Sequence, residues 1–383
     1  MLGVNLNIHS QITSLDFPKE IKSDGDEGKP TMRLEGDSLF VCCTDGIYCK
    51  NLANDSEWEP YAFQSYPIEA FVRHEGVMIA AAFNKVRENE AIVLRSADNG
   101  NTVENITPES MHFKGGVNSA YYVVTNPENP MSLVFATTWG AYLTNDFGNS
   151  WEKKERMEVL RSGGMVLNPS DTTEIVSFGE FYNFGGCAIK YSHYIEDGFY
   201  FVPGGDNQVI DYFIHPQSPN LRLLTAHNTI GRSTDGGCTW ALTPMENCLI
   251  EKFLIDQEKG TIYGIGKIWQ HVPGYPGKKV EYVIYLSNDE GENWILMYED
   301  DKLIVPGSFR DIYDAVIYNN HILILSYYGV YDVTISDPNI EGISEMATEY
   351  SPYTVIYDMQ GRTLNEKPAK GVYIQDGKKW IIR

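Results

Sequence analysis

The sequence predicts an all-β fold, a seven-bladed β-propeller with Asp-containing hairpins and a short C-terminal β appendage. Three observations carry this. An eight-residue turn recurs as "SADNGNTV" (96–103), "TNDFGNSW" (144–151), "STDGGCTW" (233–240) and "SNDEGENW" (287–294). Strand-like segments repeat in phase with it, as in "YYVVTNPENPMSLVFATTWGAYLTND", "MVLNPSDTTEIVSFG" and "YFIHPQSPNLRLLTAHNTIGRSTD". The composition is rich in Tyr (25), Phe (16), Trp (7), Gly (34) and Pro (18), which suits short strands and many turns.

The turn aspartates Asp98, Asp146, Asp235 and Asp289 are separated by 48, 89 and 54 residues. The middle step spans two periods, so a decayed copy falls in "YSHYIEDGFYF" (191–201), with Ser192, Asp197 and Gly198. One period back lies "GIYCKNLANDSEW" (46–58), and one forward lies "GVYDVTISDP" (329–338). Seven positions on a period of 40–50 residues, each unit a run of strands, are the signature of propeller blades. Within a unit an apolar strand meets a Pro-containing hairpin, a second strand, a short loop and a third strand running into the Asp turn. Seven units of four strands occupy residues 1–340, leaving 341–383 outside the period.

Asp in such a turn accepts hydrogen bonds from backbone N–H groups two or three residues on, Gly supplies a positive-φ position, and Ser or Thr adds a side-chain bond. The closing tryptophans Trp151, Trp240 and Trp294 pack back on the blade. The pattern S/T-x-D-x-G-x-S/T-W resembles the Asp-box, or BNR repeat, of sialidases, sortilin-type ectodomains, xyloglucan hydrolases and photosystem-assembly propellers. That resemblance implies that Asp98, Asp146, Asp235 and Asp289 are scaffold, on the side away from a ligand-binding face.

Residues 353–383, "YTVIYDMQGRTLNEKPAKGVYIQDGKKWIIR", hold three strand-like pieces around a D-x-x-G-R turn. They resemble the C-terminal type IX sorting segment of secreted Bacteroidetes proteins, through "YD-x-x-GR", "KGVYI" and a basic "KK" ending. The resemblance implies an exported, cell-surface or periplasmic protein. A terminal hairpin packed on the propeller is the other reading of the same residues. "MLGVNLNIHSQ" has neither a basic start nor an apolar stretch typical of a leader, so the expectation is a cytoplasmic chain or one whose leader has been trimmed.

The formal charge of −22 (52 acidic, 30 basic residues) repels phosphate backbones and anionic membranes, which argues against a nucleic-acid partner. No apolar run reaches the roughly 18 residues of a membrane span. Six cysteines (Cys42, Cys43, Cys49, Cys187, Cys238, Cys248) make no C-x-x-C pair or metal-finger spacing. Cys238 and Cys248 either bridge a hairpin or, with the rest, remain free thiols. Eight scattered histidines have no metal-ligand spacing, and no P-loop, G-x-S-x-G, H-E-x-x-H or dinucleotide fingerprint occurs. The expectation is no metal and no cofactor.

Propellers bind on the face carrying each blade's second-to-third-strand loop and the inter-blade links. Those loops are aromatic: "TTWG" (Trp139), "EFYNFGG" (Phe181, Tyr182, Phe184), "TAHN" (His227, Asn228), "KIWQHVPGYPGKK" (Trp269, His271, Tyr275) and "SYYG" (Tyr327, Tyr328). Flat rings beside polar loops suit sugars, and peptides nearly as well; some of these rings would instead close the blade tops. On the innermost strands "PIEAF", "VIDYF", "LIEKF" and "IYDAV" place Glu69, Asp211, Glu251 and Asp314 at matching positions. Converging carboxylates either form an acid/base pair or cation site, or line a wet channel as independent ions. Glu180 and Asp206 are further loop candidates.

Sialidase-like chemistry would need an arginine triad and an Arg-Ile-Pro-type motif. The motif is absent, "MRLEG" (32–36) does not replace it, and Arg33, Arg73, Arg161, Arg222 and Arg310 form no assignable triad. Xyloglucan hydrolases pair two propellers, and one fits here. The sequence therefore points to a secreted or surface binding propeller for a glycan or an extracytoplasmic protein. The alternative is a glycoside hydrolase using a carboxylate pair on the loop face, and a third reading is an assembly scaffold.

Overall fold

A computed structural model describes residues 12–19, 21, 30–83, 91–111, 120–125, 131–137, 140–154, 160–180, 186–192, 195–201, 208–271, 278–300, 312–326 and 329–335, together with 356–357, 363–364, 371–375 and 378–382. The chain divides into two compact units, 1–335 and 336–383. The first is a seven-bladed β-propeller of four-stranded antiparallel sheets. Its innermost strands, in blades 1 to 7, are Met32–Glu35, Ile68–His74, Ala120–Thr125, Arg161–Asn168, Asp211–Ile214, Cys248–Asp256 and Ile312–Tyr318. The second unit holds one sheet of four strands, Ile356–Tyr357, Thr363–Leu364, Gly371–Gln375 and Lys378–Ile382, where the sequence suggested three.

The apolar core is divided among the blade interfaces, each cluster built from the facing sheets of two neighbours. Between blades 6 and 7, for example, Tyr263, Ile265 and Ile284 meet Ile312, Ile322 and Ile324. Both faces of every sheet are therefore covered, which is why these strands read as nearly continuous apolar runs.

Closure joins distant parts of the chain. Blade 7 takes three strands from Ile312–Thr334, and its outermost strand is Ile12–Ser14, paired with Tyr331–Val333. The segment beyond this strand then latches blade 1. The Trp58 indole N–H donates to the Leu15 carbonyl at 2.6 Å, Phe17 meets the Trp58 ring edge-on at 4.9 Å, and Lys19 pairs with Asp45 at 2.9 Å. The expected blade-7 turn near 336–338 lies outside the described residues, and the strand after it is supplied from the other end of the chain.

The four repeated turns join third to fourth strands in blades 2, 3, 5 and 6, and they share one hydrogen-bond pattern. In blade 5 the Ser233 hydroxyl donates to Asp235 Oδ1 at 2.8 Å and accepts the Gly237 N–H at 2.9 Å. Asp235 also accepts the Thr239 N–H (2.9 Å) and hydroxyl (2.6 Å). The Asp reaches three and four residues on, to the N–H groups of Cys238 and Thr239 in blade 5, while the Ser or Thr two positions earlier takes the N–H two residues on. The same bonds recur around Asp98, Asp146 and Asp289. Trp240 and Trp294 donate to the turn glycine carbonyls at 3.0 and 3.2 Å.

Blade 4 departs from expectation: Ser192 lies opposite Ile195, so Asp197 and Gly198 belong to the fourth strand and make no Asp turn. In blade 1 Asn51 stands where the other turns have Ser or Thr, opposite Ser38 as Ser233 is opposite Arg222, and its Oδ1 accepts the N–H groups of Ala53 and Asn54. All six cysteines are free, with Cys238 exposed and Cys248 buried, so they form no bridge.

These turns make stability depend on acid. The Thr239 hydroxyl and N–H, then the Ser233 hydroxyl, hold the Asp235 carboxyl down at about 2, and the Thr102 N–H and hydroxyl lower Asp98. A carboxyl depressed on folding contributes stability above its unfolded value, near 4, and loses it as pH falls toward 2. The urea midpoint should fall across that window. Asp289→Ala, at pH 7, should cost about 1–2 kcal/mol, as loss of a helix cap does. It should also flatten the acid limb. An unchanged midpoint would show that the turn is not held by its aspartate.

Candidate functional site at the channel mouth

In an antiparallel four-stranded blade the first-to-second and third-to-fourth turns share one end. The second-to-third loops and inter-blade links share the other. The Asp turns therefore mark one face, and the carboxylates near the start of the innermost strands mark the opposite mouth of the channel.

The four carboxylates are not equivalent. Glu69 and Glu251 occupy β-bulges, between Ile68 and Ala70 and between Ile250 and Lys252. A bulge re-aims its extra residue sideways. The blade 6 bulge needs Gly266 opposite it, since a Cβ there would stand 2.0 Å from the Leu249 carbonyl oxygen. In blade 7 the bulged residue is Tyr313, and Asp314 pairs with Leu325 as Lys252 pairs with Ile265. Asp314 is thus the counterpart of Lys252 and one position out of step with Glu251, a correction to the matched alignment of the four acids. Both strands bulge at the same place, Glu251 in one and Tyr313 in the other, so matching acid to acid sets the two strands one residue out of step.

That offset sets opposite charges side by side. Lys252 Nζ lies 3.2 Å from Asp314 Oδ1 across the interface between blades 6 and 7. Asp314 above all, and Asp211 after burial has worked the other way, push the Lys252 ammonium above its ordinary range. Asp211, Glu251 and Asp314 each accept a backbone N–H from the next blade's inner strand. Asp211 Oδ2 takes that of Phe253 (2.7 Å), Glu251 Oε2 that of Ile312 (3.3 Å) and Asp314 Oδ2 that of Met32 (3.0 Å). Glu251, only 3% exposed, faces the equally buried Lys267 at 3.5 Å. Between blades 1 and 2 the bond runs to the main chain, from the Thr31 N–H and hydroxyl to the Glu69 carbonyl. Chemically these are inter-blade ties with charges offset by lysines.

Of the aromatic loop residues, His227 and Trp269 are described and come together: their half-buried rings lie 6.1 Å apart, tilted 59°, over blades 5 and 6. Trp269 is strand rather than loop, paired with Val280, and its N–H donates to the Asn247 carbonyl. His271 ends that strand, and its side chain lies outside the description. Trp139, Phe181, Tyr182, Phe184, Tyr275, Tyr327, Tyr328 and Asp206 lie outside the described residues. Glu180 closes the second strand of blade 4. Among the described residues no group of three His, Cys, Asp or Glu side chains is arranged to hold a metal ion, and no helix is long and apolar enough to cross a membrane.

Sequence reasoning missed Lys252 and Lys267, whose signal was present: a basic residue beside or opposite a buried acid on strands otherwise apolar. It also missed a cavity of about 520 Å³ on the Asp-turn face between blades 2 and 3.

No protein-family model and no curated protein matches the chain. Among solved structures it is similar to a GH74 xyloglucanase from Xanthomonas campestris (TM-score 0.56, 15% identity), covering 84% of this chain and 53% of that one. It thus spans about half the length of that enzyme's chain. A chain from the mitotic checkpoint complex aligns with TM-score 0.55 and 9% identity, over 85% of this chain and 91% of the other. An extracellular domain assigned to a one component system of B. thetaiotaomicron aligns with TM-score 0.52 and 10% identity, over 93% and 44%. Likeness at such identities establishes the propeller and leaves the activity open.

Glu251→Gln removes the charge facing buried Lys267 and should cost about 3–5 kcal/mol in urea unfolding. Asp314→Asn, at a wetter pair, should cost less. Equal, negligible losses would deny these acids a structural role.

Proposed function

We propose that the protein is an extracytoplasmic, non-catalytic binding propeller that takes a glycan or a protein partner on the face of the second-to-third-strand loops. One observation carries this reading. The channel-mouth acids Asp211, Glu251 and Asp314 are engaged in holding blades together, whereas the His227–Trp269 pair on the same face is half-exposed and ring-shaped. An acid that accepts a strand N–H and faces a lysine is poorly placed to give or take a substrate proton. Adjacent rings offer apolar area at low entropic cost, which favours binding.

Export is part of the proposal. It rests on the resemblance of 353–383 to a sorting segment, and on the Asp-box resemblance of the turns, whose described geometry suits a scaffold. The likeness in fold to an extracellular domain of B. thetaiotaomicron is compatible with it. A glycoside hydrolase remains the alternative function.

The test is a glycan array and an extracellular-protein pull-down with the full chain, His227→Ala and Trp269→Ala. A partner bound by the wild type and weakened at least about tenfold in both variants supports the proposal. Binding untouched by both variants removes it from this face. Turnover of a bound glycan, lost in Glu251→Gln with the fold intact, would establish the hydrolase instead.

A further inference from the structure

The cavity on the Asp-turn face has a construction of its own. It lies between the turns of blades 2 and 3, walled by His74, Glu75, Arg95, Glu104, Phe147 and Asn149. Arg95 is held as a planar array: Nε and Nη2 lie 3.1 and 2.8 Å from Glu104 Oε2, and Nη1 donates to Asn149 Oδ1 at 2.7 Å across the interface.

Blade 5 repeats the arrangement with a different outcome. Arg232, at the same place before its turn serine, donates to the Glu290 carbonyl at 2.9 Å, and the Glu290 carboxylate lies 3.6 Å from its guanidinium. Glu290 stands at the left-handed position of the blade 6 turn, with φ 59°. In the blade 3 turn that position, with φ 51°, is Phe147. A bulky residue there is uncommon and strained. Phe147 is buried and meets the His74 ring edge-on at 5.9 Å, so it floors the space that a glutamate covers elsewhere.

We propose that this cavity is a second binding site, for an uncharged saccharide of one or two rings, on the face opposite the aromatic loops. Its volume lies within the range of small-ligand sites. Anions are disfavoured, because the Arg95 charge is offset by Glu104, Glu75 stands nearby and the chain carries −22 overall. A purely apolar ligand would strip water from Arg95 and Glu104 without replacing it. A sugar satisfies both walls, with hydroxyls for the oriented Arg–Glu–Asn array and C–H groups for the apolar side. The site stands independently of the loop-face proposal.

The experiment is saturation-transfer NMR of the full chain with cellobiose, maltose and chitobiose. The variants are Ala97→Trp, which fills the cavity from an exposed turn position, and Asn149→Ala, which frees one arm of the array. His227→Ala serves as the opposite-face control. The expected result is a signal from at least one disaccharide, weakened about tenfold or more in Ala97→Trp and Asn149→Ala and unchanged in His227→Ala. Silence from all three sugars overturns the proposal. So does a signal that survives both cavity variants, and loss in His227→Ala alone assigns the sugar to the loop face.

Discussion

The structure depends on how the free edges of the inner strands are satisfied. In a propeller each innermost strand has one neighbour in its own sheet and none on the channel side. Every second N–H there would otherwise face a narrow channel. Here the side chain of one blade closes the edge of the next. Asp211 serves blade 6, Glu251 serves blade 7 and Asp314 serves blade 1, while Thr225 donates to Ile250 O in the same sense. The ties run in one direction around this part of the ring. The carboxylate ties are charge-assisted, and stronger than neutral bonds. The apolar clusters between blades supply the bulk of the stability, and they are non-directional. The ties add what the clusters cannot, a defined register between sheets.

Direction matters because the ring is assembled from distant ends of the chain. The strand Ile12–Ser14 completes blade 7, and Leu15, Phe17 and Lys19 then run onto blade 1. Asp314 ties the same two blades from the inside through Met32. The seam where the chain begins is thus closed at the outer edge by strand pairing and at the inner edge by a carboxylate. Rupture of either leaves the other in place, a sound arrangement for a closed ring that opens only by breaking a whole interface.

Much of this was legible in the sequence. The Asp turns are local, and a pattern over eight residues reports its own hydrogen bonds; even there the N–H two residues beyond the aspartate goes to Ser233 and its counterparts instead. The decayed copies were harder. In blade 4, Asp197 and Gly198 have the right chemistry but stand inside a strand, because the hairpin closes at Ser192 and Ile195. The closing strand at Ile12–Ser14 had no local signal at all, since its partner is about 320 residues away in the chain. The acid alignment failed for a third reason: it matched like charges, whereas the strand pairing sets Glu251 level with Tyr313 and Lys252 level with Asp314, a register fixed by partner strands distant in sequence.

The same distinction separates scaffold from site. Residues repeated in every good turn, such as Asp98, Asp146, Asp235 and Asp289, solve a problem each blade shares. Function is better sought where one copy departs from its siblings at a cost. Phe147 is such a departure, a strained aromatic at a position that Asn99, Gly236 and Glu290 fill in the other turns. Lys252 is another, a cation set among inner-strand acids and held there by Asp314 and Asp211. The second has an explanation within the ring, because it offsets charge along the ties. The first has none in the turn itself, which would close as well with glycine or asparagine. What Phe147 adds is buried area against the His74 ring, and with it a floor to the cavity that Arg95 also lines. A repeat protein that departs from its own rule to make a floor has made a place for something to rest.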